Sequence, residues 1–479
     1  MVFSSLIFVF CFFVLHFAAM MLAPTLRAKN IVLLISSLIF YMWGGAAYLV
    51  LICGMVFINY IGSIFTDRST ADSARKAYMI MTVAADLVLL AFFKYTGFFA
   101  ENLHALFGIP EEIPQIALPI GISFYTFQLV SYTVDVYRKE VPAQKDYFLL
   151  LLYTTSFHQC IAGPIVRYAD VNEELLHRKV TLPEISDGIM RFSIGFAKKA
   201  ILANTCAKLA DDLLPYDTAA LESSSAAALL LGGCAYMLQI YFDFSAYSDM
   251  AIGMGLMTGF HYKENFNYPY AASSVTDFWR RWHMSLSSFF RDYVYIPLGG
   301  SRVSKGRHIF NLLVVWFLTG MWHGASWNYI LWGLYFLVFL LLEKFVFRLD
   351  VHKKVSVWMQ LPRRIYLIAV IFFSWLLFRF TDLGMVGAVV RGLFLMNGNS
   401  LTDAAIGITF NNYIYFLLFA VFACTPIYKK IYEKMSASRA ALPSAVHNVW
   451  LTVSPVVFIF FSFTSLVGDS YNPFIYFNF

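Results

Sequence analysis

Long apolar stretches recur along the whole chain and alternate with shorter polar segments. Because a hydrocarbon core of about 30 Å is crossed by about 20 residues of helix, most of these stretches predict membrane-spanning helices. A few, such as 309–320, are too short to cross alone and predict re-entrant or buried helices. The pattern predicts an all-α polytopic membrane protein with about 10 to 12 crossings, plus short re-entrant and interfacial helices. The apolar stretches lie at 1–22, 30–43, 46–65, 77–98, 116–135, 146–162, 188–210, 223–242, 309–320, 326–347, 365–380, 405–425 and 448–467.

The composition supports the same class. Hydrophobic residues make up 59% of the 479 residues and charged residues only 13%, whereas soluble domains contain roughly 25% charged residues. Aromatic residues reach 18%, which suits lipid-facing surfaces and interfacial belts. The first apolar stretch lacks the basic start of a signal peptide, so we expect it to remain as the first helix.

Lysine and arginine residues are concentrated in alternate loops, and the formal net charge is +6. Under the positive-inside rule these basic loops face the cytoplasm. Their alternation places both termini on the extracytoplasmic side, which requires an even number of crossings. The basic loops contain Arg27 and Lys29, Arg68 to Lys76, Arg138 to Lys145, Lys344 to Arg364, and Lys429 to Arg439.

The segment Ser273–Arg302 is polar, basic and rich in aromatic residues. Ser274 followed by Asp277 forms a capping box, which predicts a helix that begins near Val275. Its apolar face predicts an interfacial amphipathic helix, with His283 beside that face. The segment either anchors the protein at the membrane surface or forms one wall of a site for an anionic, partly apolar ligand. The residues of the apolar face are Trp279, Trp282, Leu286, Phe289 and Phe290.

One histidine, His323, lies inside the otherwise apolar stretch FLTGMWHGASWNYILWG. Ionisable groups within a membrane are costly, which makes them candidates for function. Apolar surroundings disfavour an imidazolium, and a neutral imidazole can accept a proton from a hydroxyl group as a general base. The alternative is a buried histidine that joins helices through a hydrogen bond, and the residues alone leave both open. The other ionisable residues in apolar stretches are His16, Asp86, Asp135, Asp243 and Asp249.

Asp243 lies among aromatic and small residues in YFDFSAYSDMAIGMGLMTGF. Its carboxylate could orient an imidazole, or it could satisfy backbone groups at a helix break. The six cysteines show neither metal-binding nor redox spacing, and we expect them to be free. We also expect no metal site and no nucleic-acid partner.

Together these segments resemble the membrane-bound O-acyltransferase (MBOAT) family. The resemblance is greatest to the bacterial branch that contains the membrane subunit of alginate O-acetyltransferase and the D-alanyl transfer protein of teichoic acid modification. It covers nearly the whole chain, and the block from DFWRRWHMSL to WHG is its most specific part. The matching stretches are MVFSS at the start, LPIGISFYTFQLVSYTVDVYR at 118–138, IAGPIVRY at 161–168, YFDFSAYSDMAIGMGLMTGF at 241–260, NFNYPYAASSVTDFWRRWHMSLSSFFRDYVYIPLGGSR at 265–302, TGMWHGASWNYILWG at 319–333 and the terminal FIYFNF.

The resemblance implies one membrane-embedded domain over residues 1–479. Its catalytic core, at about 118–347, would enclose a tunnel, with additional spans at about 365–479. The resemblance also implies that His323 is the general base and that His283 orients the donor or stabilises the developing oxyanion. The residues expected to bind the donor are Trp279, Arg280, Arg281, Trp282, Arg291 and Trp322, and the residue expected to support the histidines is Asp243.

Family members take an acyl group from a cytoplasmic thioester and deliver it to a hydroxyl group. The length of the chain favours the acetyl branch, so acetyl-CoA is the expected donor and an envelope polysaccharide such as alginate or peptidoglycan the expected acceptor. The phenol of Tyr476 would carry the acetyl group to an extracytoplasmic, hydrolase-like transferase, or it would serve as an interfacial anchor. We expect the protein in the cytoplasmic membrane of a bacterium, in contact with membrane lipids.

Three other functions stay open at this point. They are D-alanyl transfer to teichoic acid, acylation of a lipid, and transport of an acyl donor or a polymer. A transporter would also contain intramembrane charges and broken helices. Transport alone does not require the WHG and WRRWH motifs, and the sequence contains no inverted repeat, so an acyltransferase is favoured.

Overall fold

The computed structural model describes residues 2–108, 116–160, 163–349, 356–437, 441–468, 471–473 and 475. Within these ranges all regular secondary structure is helical, which confirms the predicted all-α class. The first ten helices are α1 (Phe13–Leu22), α2 (Leu26–Met42), α3 (Ala46–Arg68), α4 (Asp72–Phe107), α5 (Ile122–Arg138), α6 (Tyr147–Thr155), α7 (Tyr168–His177), α8 (Leu182–Ala197), α9 (Asn204–Leu213) and α10 (Thr218–Ser223). The next ten are α11 (Ala226–Thr258), α12 (Val275–Trp279), α13 (Met284–Phe290), α14 (Lys305–His323), α15 (Trp327–Leu341), α16 (Val357–Arg379), α17 (Leu383–Leu393), α18 (Ala404–Ala423), α19 (Ile427–Ser436) and α20 (Ala441–Gly468).

Seven of the described helical segments are long and apolar enough to cross a membrane, which confirms a polytopic membrane protein. The predicted number of crossings, about 10 to 12, stays a prediction, and several other apolar stretches form shorter or more polar helices in the described ranges. The stretch 146–162 forms only the nine residues of α6, and 188–210 runs into α9, whose sequence NTCAKLADDL is charged. The stretch 309–320 forms part of a longer helix than predicted, because it lies inside α14, which has 19 residues. The seven segments are α3, α4, α11, Trp327–Val346, Trp358–Arg379, α18 and Asn448–Gly468.

The chain divides into two compact units. The first comprises residues 1–192, 247–264 and 288–297. Within it α3 packs against α4 and α5, and α2 packs against α6. Its interior contains a polar network, in which Asn59 Nδ2 donates to both carboxylate oxygens of Asp86 at 2.9 Å and Thr133 Oγ1 donates to Asn59 Oδ1 at 2.7 Å. These hydrogen bonds satisfy an acid that would be costly if it faced lipid.

The second unit contains a large cluster of buried aromatic and aliphatic side chains. It comprises residues 193–246, 265–287 and 298–479. Helices α14 and α15 form a hairpin joined by the short loop 324–326, and α16 packs against α15. Trp332 on α15 and Trp375 on α16 are among the largest fully buried side chains, and their ring centroids lie 6.0 Å apart. The three helices therefore share one tightly packed aromatic interface.

Gly320 lets the two helices of this hairpin approach closely. A Cβ atom at Gly320 would lie 2.5 Å from the carbonyl oxygen of Tyr329, closer than real Cβ atoms come to any atom. We expect Gly320→Ala to destabilise the purified protein by about 1–3 kcal/mol, as overpacking typically does, and thermal unfolding measures this loss. Gly306→Ala is the control, because Gly306 lies on the same helix with open space around it. Equal melting temperatures for the two variants would contradict the close helix contact.

The segment Ser273–Arg302 precedes the hairpin. Its helix begins at the predicted residue but ends earlier than predicted. The Ser274 side chain accepts a hydrogen bond from the backbone N–H of Asp277 at 3.0 Å, and α12 begins at Val275. The prediction of one continuous amphipathic helix is wrong, because α12 ends at Trp279 and α13 begins only at Met284.

This helix break has a tertiary cause. The backbone N–H of Met284 donates to the carbonyl oxygen of Asn265 at 3.0 Å, and the N–H of Asn267 donates to the carbonyl oxygen of Arg281 at 2.9 Å. These bonds replace helical ones, and His283 adopts a left-handed backbone with φ 44°. Histidine is one of the residues that this conformation tolerates better than most. The break thereby gives His283 a direction that a regular helix would not give it.

Candidate active site

His323 is the last residue of α14, and it is only 7% exposed. Its Nδ1 atom lies 2.7 Å from the carbonyl oxygen of Thr319, one helical turn earlier. Because a carbonyl oxygen can only accept a hydrogen bond, Nδ1 carries the proton of the neutral ring. The lone pair of the imidazole then lies on Nε2, which is the nitrogen that can act as a base.

Three aromatic side chains enclose the His323 ring. The ring centroids of Trp322, Trp332 and Phe378 lie 5.0, 4.7 and 5.5 Å from it. Trp332 belongs to α15 and Phe378 to α16, so three consecutive helices of the second unit meet at this imidazole. The rings limit its orientation and reduce the access of water to its faces.

His283 is fully buried at the break between α12 and α13. Its Nδ1 atom lies 3.3 Å from Asn265 Oδ1, and the backbone N–H of Ser285 donates to the same oxygen at 3.1 Å. Because the backbone N–H can only donate, Asn265 presents its oxygen here, and Nδ1 of His283 is the protonated nitrogen. Nε2 is buried and has no hydrogen-bond partner among the described residues.

The two histidines share one aromatic neighbour. The ring centroid of Trp322 lies 5.6 Å from His283 and 5.0 Å from His323. The ring centroid of Phe244 lies 4.7 Å from that of His283 on another side. The structure therefore brings together three residues of the predicted site. A buried acceptor without a partner is costly, and a ligand with an N–H or O–H group would satisfy Nε2 of His283.

The other two predicted donor-binding tryptophans lie in the core. Trp279 is 8% exposed, and its ring centroid lies 4.8 Å from that of Trp316. Trp282 is 2% exposed, and its ring centroid lies 5.0 Å from that of Trp375. Both rings thus have packing partners, and their contact with a donor stays a prediction.

The predicted donor-binding arginines differ in their surroundings. Arg281 Nε lies 2.9 Å from Asp277 Oδ1, and Arg291 Nε lies 2.6 Å from Asp292 Oδ1. Arg280 is exposed. A neighbouring acid therefore partly neutralises Arg281 and Arg291, and the contact of all three arginines with a donor stays a prediction.

Asp243 does not orient an imidazole through any of its hydrogen bonds in the described ranges. Its carboxylate forms an ion pair with Lys199 at 2.6 Å and accepts a hydrogen bond from the backbone N–H of Ile475 at 2.8 Å. The prediction that Asp243 supports the histidines directly is therefore corrected. Asp243 does satisfy a backbone group, the N–H of Ile475, but this group does not lie at a helix break. Tyr476, the predicted acyl carrier, lies outside the described residues.

The remaining ionisable residues of the apolar stretches have local partners. Nδ1 of His16 lies 2.9 Å from Ser36 Oγ, and both carboxylate oxygens of Asp135 accept from the Tyr293 hydroxyl group at 2.8 and 2.9 Å. Asp249 forms a 2.7 Å ion pair with Arg191. These contacts account for the residues as parts of the helix packing, as the Asn59 contact does for Asp86.

Several residues of the site were not predicted. Asn265 lies 18 residues before His283, and no local pattern links the two. Trp332 and Phe378 resemble the many other aromatic residues of apolar helices. Lys199 had a usable signal, because a lysine inside the apolar stretch 188–210 requires a partner in a membrane protein.

Comparison with known proteins adds to this geometry. The model of the membrane-bound O-acyltransferase family (MBOAT) matches residues 37–390, a range that includes both histidines. The chain is 38% identical to the probable alginate O-acetylase of Azotobacter vinelandii over 408 residues, which cover 84% of this chain and 80% of that protein. It is 30% identical to the peptidoglycan O-acetyltransferase of Helicobacter pylori over 533 residues, which cover 100% of this chain and 98% of that protein. It is 32% identical to the teichoic acid D-alanyltransferase of Bacillus subtilis over 229 residues, which cover 45% of this chain and 56% of that protein.

Proposed function

Because the chain belongs to the membrane-bound O-acyltransferase family, we propose that it moves an acetyl group from a cytoplasmic thioester to an extracytoplasmic polysaccharide of the cell envelope. The observation that carries this proposal is the enclosed pair of imidazoles, each with its Nδ1 proton engaged and its lone pair on Nε2. An alginate O-acetylase and a peptidoglycan O-acetyltransferase match most of the chain, whereas the D-alanyltransferase matches less than half of it. Acetyl is therefore the proposed group, and alginate or peptidoglycan the proposed class of acceptor.

In the proposed reaction acetyl-CoA is the donor and His323 is the general base. Nε2 of His323 removes the proton of the attacking hydroxyl group while the hydroxyl oxygen bonds to the carbonyl carbon of the thioester. The carbon–sulfur bond then breaks, and the coenzyme A thiolate takes the proton from the imidazolium. The products are an O-acetyl ester and the free thiol, so no further reactant is needed.

Of the two roles predicted for His283, the hydrogen bond to Asn265 supports orientation of the donor. With its proton on Nδ1, neutral His283 presents an acceptor at Nε2 and cannot donate a hydrogen bond from there to an oxyanion. Nε2 can accept from an amide N–H of the donor's pantetheine arm. Such a contact would hold the thioester at attacking distance from the hydroxyl group.

The aromatic enclosure serves the same reaction. Trp322 and Trp332 are 3% and 0% exposed, so the faces of the imidazole are shielded from bulk water. A reactive thioester in water hydrolyses unproductively, and exclusion of water limits this loss. The enclosure thereby favours transfer to a bound hydroxyl group.

We propose that the protein lies in the cytoplasmic membrane of a bacterium with both termini outside. The alternation of the basic loops supports this orientation, and the matching proteins come from bacteria. The acetyl group would then leave the protein on the extracytoplasmic side. A hydrolase-like transferase there would attach it to the polymer.

An assay with purified protein and acetyl-CoA tests the proposed function. We expect thioester cleavage with formation of an O-acetyl ester, and we expect repeated turnover only when an extracytoplasmic transferase and an oligosaccharide are added. An alanyl thioester of a carrier protein is the matched alternative donor, and we expect it to be inactive. Preference for the alanyl thioester, or movement of the donor across a vesicle membrane without cleavage, would contradict the proposal.

Tyr476 is the proposed intermediate carrier of the acetyl group. We expect Tyr476→Phe to lower O-acetylation of the polymer at least about tenfold at equal expression, because phenylalanine has no hydroxyl group to acylate. The O-acetyl content of the polymer measures this. Tyr415→Phe is the control, since Tyr415 is an exposed phenol on α18, and it should leave the content unchanged. Full activity of Tyr476→Phe would favour the interfacial anchor.

A further inference from the structure

The last described residues, 471–473 and 475, are held by a buried ion pair, and we call them the terminal segment. The backbone N–H of Ile475 donates to Asp243 Oδ2 at 2.8 Å, and Lys199 Nζ donates to the carbonyl oxygen of Pro473. Lys199 Nζ and Asp243 Oδ1 lie 2.6 Å apart, and their side chains are 1% and 2% exposed. One ion pair within the second unit thus binds the backbone of the terminal segment at two points.

Each charge of this ion pair faces a backbone group of complementary polarity. The ammonium group faces a carbonyl oxygen, and the carboxylate faces an N–H group. Burial of two charges is costly, and the mutual attraction offsets the cost only when the remaining donors and acceptors are also satisfied. The terminal segment supplies those partners. Helix packing alone would not require them, so the pair is better explained as a binding position for a peptide backbone.

Two further contacts join the terminal segment to the helical run that contains Lys199. Asn204 Nδ2 donates to Asn472 Oδ1 at 3.2 Å, and the Tyr471 hydroxyl group donates to a carboxylate oxygen of Asp211. Lys199 precedes Asn204 and Asp211 on the continuous helical run that ends with α9. The terminal segment therefore has a partner at each of several successive positions, as a specifically bound peptide does.

The terminal segment also packs into the apolar interior of the second unit. Ile475 is 7% exposed and belongs to the same buried apolar cluster as Trp332 and Phe378, the rings that enclose the proposed base. Phe244, which follows Asp243 in the chain, belongs to this cluster and contacts the second imidazole. The ion pair thus holds the backbone one residue before Tyr476 in the chain, and the residue that follows Asp243 contacts an imidazole of the candidate site.

We propose that the Lys199–Asp243 pair is the docking position of the terminal segment and that it positions Tyr476 for acyl transfer. The positioning half of this statement rests on the proposed function, whereas the docking half does not. Lys199 and Asp243 are positioning residues, because they act through the backbone of the segment.

Two variants separate docking from helix packing. Lys199→Met with Asp243→Leu removes both charges at similar volume, a change that folded proteins often tolerate. Lys199→Glu with Asp243→Lys keeps an ion pair but reverses its polarity, so a carboxylate faces the Pro473 carbonyl oxygen and an ammonium group faces the Ile475 N–H. If the pair served only to join helices, the reversed pair would restore what the apolar pair lost.

Hydrogen–deuterium exchange of the Ile475 amide in the purified full-length protein measures docking without any substrate. We expect exchange to be at least about tenfold faster in both double variants, because the amide loses its buried acceptor. We also expect O-acetylation of the polymer to fall at least about tenfold, with no change in exchange in α14 and α15. Unchanged exchange in the apolar double variant would overturn the docking position, whatever the activity.

The remaining outcomes distinguish this proposal from the proposed function. Faster exchange with unchanged acetylation would overturn the positioning role of the pair. Faster exchange in a protein that has no acetyltransferase activity at all would support docking and refute the proposed function. The control is Arg391→Met with Glu222→Leu, which removes an ion pair between half-exposed side chains of the same unit and should alter neither readout.

Discussion

Replacement of His323 by glutamine is expected to lower the rate of acyl transfer by about 10³-fold, within the range attributed to a positioned general base. Glutamine is uncharged and of similar size, so it limits the cavity among Trp332 and Phe378. Its amide cannot take a proton from a hydroxyl group at neutral pH. The loss should therefore appear in kcat, while KM for acetyl-CoA changes little, because the donor is proposed to be oriented elsewhere.

The matched control for this variant is His308→Gln. His308 is also a buried histidine of α14, and Nε2 of its ring lies 3.2 Å from the Nζ atom of Lys344. We expect this variant to keep a near-normal rate of transfer, measured by release of the coenzyme A thiol in the presence of acceptor. Retention of more than about a tenth of the rate by His323→Gln, at normal thermal stability, would show that another group is the base.

The second large effect is expected at His283. We expect His283→Asn to lower kcat/KM for acetyl-CoA by about 10²-fold, the loss associated with misplacement of a reactant. Asparagine is the suitable replacement, because it tolerates the left-handed backbone that His283 adopts with φ 44°. Its shorter side chain cannot present an acceptor where Nε2 lies, so the donor loses its orientation while the general base is retained.

Asn265→Leu tests the tautomer of His283. Asn265 Oδ1 accepts from the imidazole, so its removal frees the proton to move from Nδ1 to Nε2. We expect a loss of transfer that is smaller than that of His283→Asn and a change in the pH profile of kcat/KM, which a merely structural role would not produce. A pH profile identical to that of the unaltered protein would refute a positioning role for Asn265.

The resemblance and the pattern of the sequence predicted the class of protein and the two histidines. They failed where backbone contacts from distant segments determine local structure. The run from Val275 to Phe290 has helical periodicity throughout, yet backbone hydrogen bonds from residues 265 and 267 break it at His283. Periodicity reports only which side chains face the same way in a helix, and it contains no information about a competing partner.

Asp243 shows that the partner of a buried charge is equally hard to predict from the sequence. Its position inside an apolar helix predicted a functional partner, and an imidazole was one candidate. The partners are Lys199 and the backbone of Ile475, which lie 44 and 232 residues away in the sequence. The cost of burying a charge is a property of the residue and its surroundings, whereas the identity of its partner depends on how the chain folds back on itself.

The sequence by itself determined that this is a helical membrane protein with two histidines at the centre of its most distinctive block. Hydropathy and residue type are properties of the chain, and they suffice for that conclusion. Only the tertiary structure decided which nitrogen of each imidazole carries the proton and what holds the terminal segment. Both depend on hydrogen-bond partners, and for His283 and Asp243 those partners come from parts of the chain that only folding brings together.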